Sequence, residues 1–377
     1  EFEGQGERIF VSVVSYRDPE CQHTLLDLFT KAADPSRIFV GLLWQVDLDA
    51  DEDCFRVKLP WEFERQVCEV RVPHTEARGP CWARYLAQKL WNHEEYYLQI
   101  DSHMRFVEGW DAEIISQLKA CPSDRPVLST YPPGYERGQS SSSMQAPPTV
   151  LCASDFGKEG MLRIKGRIML RTPDAPVPGL FWAAGYSFSC SSLIKDVPYD
   201  PSLKNLFFGE EMTMLARMWT KGYDVFAPTK SLLFHLWSRD YRPSFAADVP
   251  DPFALKERSL RRARMLLGCP AAPPPPAPPP SSEEGGEDAD GKAAAAGTMH
   301  FNTDALHGLL SKRRAERDDR KEGASDPWPP TTKPGAMYWV GATRSMEDFY
   351  RHVGVDFSKG GIDEKARCGG LSPDVLL

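Results

Sequence analysis

The first third of the chain alternates short β-rich runs with helical stretches, and this alternation restricts the fold more than any other feature. Arg8-Ile-Phe-Val-Ser-Val-Val-Ser-Tyr16 is a β-rich apolar run. After Arg17-Asp18-Pro19, the residues Leu25, Leu26, Phe29 and Ala32 recur at helical spacing before a second run, Arg37 to Trp44. Apolar runs of this kind suit strands covered on both faces, so the pattern reads as a βαβ unit of a parallel sheet. Glu69 to Pro73, a helix over Cys81 to Trp91 and the strand Tyr96 to Asp101 repeat it, which predicts an open α/β sheet over residues 8 to 130. Ligands of such sheets bind beyond the carboxyl ends of the strands, where Tyr16 and Asp101 stand.

Further along, Tyr131 to Thr149 is turn-rich, polar and too long for a simple connector, and is expected to be a mobile loop over a site. Thr149 to Ser154 and Arg167 to Thr172 read as strands, Phe181 to Leu193 as a Gly- and Ser-containing segment, and Gly209 to Trp219 as a helix opened by two glutamates. From Pro270 to Gly297 the chain holds eight prolines and no aromatic or large aliphatic side chain. Such a stretch buries too little area to offset an ordering entropy of about 1 to 2 kcal/mol per residue, so disorder is expected there. It divides the chain into an α/β domain over 1–268, an insert over 269–298 and a C-terminal segment over 299–377. A basic helix, Leu255 to Leu267, precedes the insert and a charged helical stretch, Thr303 to Lys321, follows it. The part from Tyr338 to Val355 is apolar enough to dock on the main domain, and the tail is also a candidate surface for a homodimer.

A net charge of −8, with both signs spread along the sequence, offers no attraction to nucleic acid or anionic lipid. No window of about 18 uncharged apolar residues is present, and the first residues do not form a signal peptide, so no membrane partner is expected. Nine cysteines stand singly without zinc-site spacing, which reads as reduced thiols in a cytoplasmic protein.

Asp101-Ser102-His103 closes the strand Tyr96 to Asp101, and residues two apart in extended chain point the same way, so a carboxylate and an imidazole converge at the ligand end. Mixed oxygen and nitrogen donors suit Mn²⁺ or a similar divalent ion that shares its shell with phosphate; a strand-end turn in which Asp101 caps loop amides is the other reading. Glu210-Glu211 at a helix start complements the dipole or presents a carboxylate to a sugar. His235 is either a hydrogen-bonded core residue or a ligand, and Arg84 either a phosphate contact or part of a solvated helix face.

In order and spacing, Arg78-Gly79 through Ala83-Arg84, Asp101-Ser102-His103, Ala184-Gly185, Gly209-Glu210 ahead of Arg217 and Trp219, and His235 resemble the motifs of the polypeptide N-acetylgalactosaminyltransferases. Val11-Ser-Val-Val-Ser-Tyr-Arg-Asp18, Gln99 to Phe106, Phe207 to Glu211, His235-Leu-Trp-Ser-Arg239 with Tyr241-Arg-Pro243, and Arg344 to Phe357 more closely resemble the α-N-acetylglucosaminyltransferases that act on hydroxyproline of the SCF ubiquitin-ligase adaptor. The resemblance implies a GT-A glycosyltransferase fold with a Rossmann-like, nucleotide-binding mixed sheet, a UDP-GlcNAc donor, a divalent metal such as Mn²⁺, and retention at the anomeric carbon. By motif position, Asp101, His103 and His235 would hold the metal. Ser15, Tyr16, Arg17, Arg84, Asp101, Ser102 and Arg239 would face the nucleotide, Ala184-Gly185 would lie along the donor, and Glu210 would bind the sugar. The galactosaminyl enzymes carry Asn at the position of Glu211, which leaves its role open. Competing readings are a secretory-pathway transferase for Ser or Thr of mucin-like proteins, a non-catalytic adaptor offering its Pro-rich segment, and a metal-dependent phosphohydrolase.

Overall fold

The computed structural model describes residues 7–139, 144–248, 253–270 and 335–377. Its main sheet contains β1 (Ile9–Tyr16), β2 (Ile38–Val46), β3 (Val67–Pro73) and β4 (Tyr96–Asp101). These four lie parallel in the order β3-β2-β1-β4. Their connections carry α1 (Glu20–Thr30), α2 (Trp61–Glu64) and α3 (Pro80–Gln88). Adjacent residues of β1 serve opposite faces. Val11 and Val13 join Leu28 and Phe29 of α1 in one core, while Phe10 packs in the other. The expected βαβ pattern is therefore present, with both faces of the sheet buried.

β5 (Met104–Phe106) leaves the main sheet just after Asp101, and α4 (Trp110–Lys119) leads to β6 (Pro126–Ser129). The hairpin β7 (Thr149–Phe156) and β8 (Leu162–Ile168) follows. Its second strand ends earlier than the expected Arg167 to Thr172, because the chain turns at Gly160 (φ 70°) and pairs Thr149 with Ile168. After β9 (Val177–Pro178), β10 (Tyr186–Cys190) enters the middle of the sheet antiparallel to both β4 and β6. In the sequence this strand reads only as a Gly- and Ser-containing segment, since Ser187 and Ser189 interrupt the apolar run. Both serines are buried, with Ser187 Oγ accepting from the Trp182 indole at 2.8 Å and Ser189 Oγ donating to Cys190 O at 3.1 Å.

α5 (Ser192–Asp196) and α6 (Glu210–Thr220) precede β11 (Asp224–Ala227), which lies between β6 and β9. β12 (Leu233–His235) then pairs antiparallel with β5 and puts His235 opposite Met104. Two further helices are α7 (Phe245–Asp248) and α8 (Phe253–Leu266). The described residues of 7–270 and 335–377 form one compact unit. The tail helix Met346–Val353 buries Phe349 and Val353 in the core that contains Met212, Leu215 and Met218 of α6. The insert from 271 on, the helical stretch Thr303 to Lys321 and the serines 140–143 lie outside the described residues.

α3, which carries Arg84, starts at Gly79. Its φ of 86° and ψ of 175° fall in a region open essentially to glycine, and an added Cβ would stand 2.9 Å from the Asn205 backbone. Gly79→Ala is expected to destabilise the fold by about 1 to 3 kcal/mol, measured as a lowered denaturation midpoint; an unchanged midpoint would contradict this packing.

Candidate active site

The site is built where β4 ends. Asp101 is the last residue of β4, and Ser102 and His103 turn the chain into β5. Thr24 of α1 fixes that turn: its hydroxyl donates to Ser102 O at 2.7 Å and accepts from Met104 N at 2.9 Å. The β5–β12 register then brings in His235 from 134 residues away in the chain. Residues 133–135 hold it from the other side, with His235 N donating to Pro133 O and Tyr135 N donating to His235 O. The start of the expected mobile loop is thus a wall of the site. One donor atom from each of Asp101, His103 and His235 lies within 4.8 Å of the others. The imidazole centroids are 4.6 Å apart.

Charge is tightly arranged around this trio. One Asp101 oxygen accepts from Arg84 at 2.8 Å, and the other stands 3.2 Å from His235 Nε2. Burial favours the neutral acid, but the His235 hydrogen bond and the Arg84 charge prevail and hold the Asp101 carboxyl well below its ordinary range. Burial and the neighbouring His103 lower the pKa of His235, favouring the neutral imidazole that a metal requires. His103 Nδ1 lies 2.7 Å from Asp18, whereas its Nε2 is buried without a hydrogen-bond partner. Orphaned polar atoms of this kind are costly unless something binds them, so one carboxylate and two imidazoles fit a divalent cation.

Ala184 and Gly185 lie directly beside the carboxylate. A Cβ on Gly185 would fall 2.7 Å from Asp101 Oδ2, so the position accommodates no side chain without displacing the ligand. Ala184 O accepts from Arg84 at 2.5 Å and from Gln99 at 2.7 Å. Arg84 is buried, and its Nε stands 3.1 Å from Glu210. Tyr199 also donates to Glu210 at 2.8 Å. Arg84 and Glu210 therefore brace each other and Asp101 in this conformation. Glu211 is less buried and accepts from Ala184 N at 3.1 Å and from the Tyr131 hydroxyl at 3.0 Å.

The remaining residues of the nucleotide group are dispersed. Ser15 is fully buried, and Ser102 gives its hydroxyl to Asp18 at 2.6 Å. Tyr16 donates to Asp248 at 3.0 Å. Arg17, at a left-handed φ of 48°, pairs with Asp51 and Asp248, both at 2.9 Å. Arg239 is exposed and its guanidinium lies 5.9 Å from the Phe207 ring centroid. Sequence reading missed Asp18, Tyr131 and Tyr199 as parts of the site. Asp18 carried the one available signal, a carboxylate just past the ligand end of β1.

Burial, outweighing the bond from Ala184 N, lifts Glu211 from an ordinary 4.5 to about 7. The folded chain then binds this proton more tightly than the unfolded chain, so the stabilisation is complete below 4.5 and is lost as pH rises through 7. Glu211→Gln should remove about 1 to 3 kcal/mol of that pH-dependent loss. Denaturation midpoints across this pH range check it; parallel wild-type and variant curves would contradict it.

Comparison with known proteins assigns the chain to a family. The model of the family described as Glycosyltransferase (GlcNAc) matches residues 8–60 and 50–359. Among curated proteins none matches. Among solved structures the chain is similar to GalNAc-T7 with UDP, GalNAc and Mn²⁺, at 14% identity over 69% of this chain and 48% of that one, with a TM-score of 0.47. It is also similar to S. aureus TarS 1-349 in complex with UDP-GlcNAc, at 14% identity over 69% of this chain and 66% of that one, TM-score 0.43. A mannosyltransferase from Pyrobaculum calidifontis with GDP-Man and Mn²⁺ has 16% identity over 62% of this chain and 58% of that one, TM-score 0.37. The chain thus spans less than half of the GalNAc-T7 chain. Among the described residues no helix is long and apolar enough to cross a membrane, and all nine cysteines are free. With a family match that runs through nearly the whole chain, around a mixed, mostly parallel sheet, this protein belongs to the GlcNAc glycosyltransferase family.

Proposed function

We propose that the chain transfers GlcNAc from UDP-GlcNAc to a protein hydroxyl with retention of configuration, the acceptor being a hydroxyproline of an SCF ubiquitin-ligase adaptor. Family membership supports the sugar, and the motif resemblance supports the acceptor and the stereochemistry. The observation that carries the reading is the convergence of Asp101, His103 and His235 at the ligand end of the sheet.

Asp101, His103 and His235 would hold a divalent cation, which would supply positive charge next to the diphosphate of a bound donor. The chain's own residues prepare the rest. Arg84 fixes the Asp101 carboxylate, and the backbone at Ala184-Gly185 lets a donor approach closely. Tyr16 and Arg17 flank the nucleotide side of β1, where a donor exchanges places with Asp248 as their partner. Glu210 is committed to Arg84 and Tyr199, so we assign the sugar hydroxyls to Glu211, which lies next to Ala184. Glu210 is tied to Arg84 and Tyr199, and Glu211 to Ala184 N and the Tyr131 hydroxyl, so neither carboxylate is free to act as a nucleophile. The reading is therefore front-face attack, in which the departing phosphate oxygen takes the acceptor proton.

The test offers UDP-GlcNAc, UDP-GalNAc and UDP-glucose, each with Mn²⁺, to hydroxylated and unhydroxylated adaptor protein, and weighs the products. One GlcNAc added only to the hydroxylated form is expected; transfer to serine or threonine, or release of sugar phosphate alone, would overturn the reading. Asp101→Asn and His235→Ala should each lower transfer by about 100-fold or more in protein that still unfolds in one cooperative transition. Full activity in either variant would refute the cation assignment.

A further inference from the structure

Asp18 is the most heavily bonded carboxylate near the site, and nothing above gives it a function. It lies in the turn after β1, has no exposed surface, and faces donors from three separate segments. Ser102 Oγ gives its proton to Oδ2 at 2.6 Å, the Tyr241 hydroxyl donates to Oδ1 at 3.0 Å, and Glu20 N donates to Oδ1 at 3.0 Å. Arg242 Nε stands 3.4 Å from Oδ2. The fifth neighbour is His103, whose Nδ1 lies 2.7 Å from Oδ2.

We infer that Asp18 is a positioning residue that sets the tautomer and ring orientation of His103, so that Nε2 is presented bare to the cation. This rests on the reading that Asp101, His103 and His235 hold a divalent ion. An ionised carboxylate is acceptor-only, so a ring nitrogen 2.7 Å from it must be the one that carries hydrogen. Ser102 Oγ is also within 3.2 Å of Nδ1, but its proton is already directed at Asp18. In the neutral ring the other nitrogen is then a lone pair, and it is the buried Nε2 that has no partner. A carboxylate behind a ligating histidine both fixes the ring and raises its basicity.

Tyr241 and Arg242 extend the reach of this carboxylate. They lie six and seven residues past His235, so Asp18 joins the ligand just before β5 to the segment that follows the β12 ligand. One buried anion thereby restrains both histidine-bearing segments, which belong to a two-stranded ribbon outside the main sheet.

The experiment titrates Mn²⁺ into the full chain and into Asp18→Asn and follows the free ion by electron paramagnetic resonance, without donor or acceptor. The asparagine keeps the shape but offers a weaker acceptor and a competing donor. Mn²⁺ affinity is expected to fall about 10- to 100-fold in the variant. Equal, measurable affinity in both proteins overturns the inference and leaves the cation reading intact. No Mn²⁺ binding by the wild-type chain overturns the cation reading and the inference with it. A second measurement needs no variant: ¹⁵N shifts of His103 in the ion-free wild-type chain should report hydrogen on Nδ1, and hydrogen on Nε2 would overturn the inference even if Asp18→Asn fails to fold.

Discussion

The Asp101 carboxylate, held by Arg84 on one oxygen and facing His235 with the other, is the interaction on which the ligand end of the sheet depends. A buried carboxylate stays ionised only when paired and hydrogen-bonded, and the elements around β4 are arranged to supply partners. α3 delivers Arg84, α6 delivers Glu210 to balance it, and Gln99 within β4 shares the Ala184 carbonyl with the same guanidinium. Gly185 leaves open the space that a side chain would take from Asp101. These contacts couple the sheet, two helices and the segment before β10, so the site belongs to the core as much as to the surface.

A second constraint is topological. His103 is local to Asp101, but His235 reaches the site only because β12 pairs with β5 in one register. A slip of one residue would turn His235 to the other side of the ribbon. Contacts from residues 133–135 and the Thr24 hydroxyl make such a slip costly, since each would lose backbone hydrogen bonds in a buried setting. The exposed rim carries aromatic side chains: the Trp237 and His235 ring centroids are 4.1 Å apart, and Phe207 and Phe208 come just before Glu210 in the chain.

Much of this was legible in the sequence. Continuous apolar runs marked β1, β2 and β4, because a strand buried on both faces has no polar alternation to hide it. The Asp101-Ser102-His103 triplet was visible as a local feature, whereas its union with His235 came through family resemblance, since residue spacing carries no information about a pairing between β5 and β12. β10 was missed because its serines are satisfied inside the protein, by Trp182 and by the strand itself. The bracing of Arg84 by Glu210 was equally hidden. From sequence each is a charge at a helix start or on a helix face, and only packing reveals that they neutralise each other.

The most direct measurement is anomalous diffraction at the manganese edge from crystals of the chain grown with Mn²⁺ and UDP-GlcNAc. The account predicts one strong peak bonded to Asp101, His103 and His235, with the diphosphate completing its shell. A nucleotide bound elsewhere, or a peak that leaves His235 uncoordinated, would contradict it.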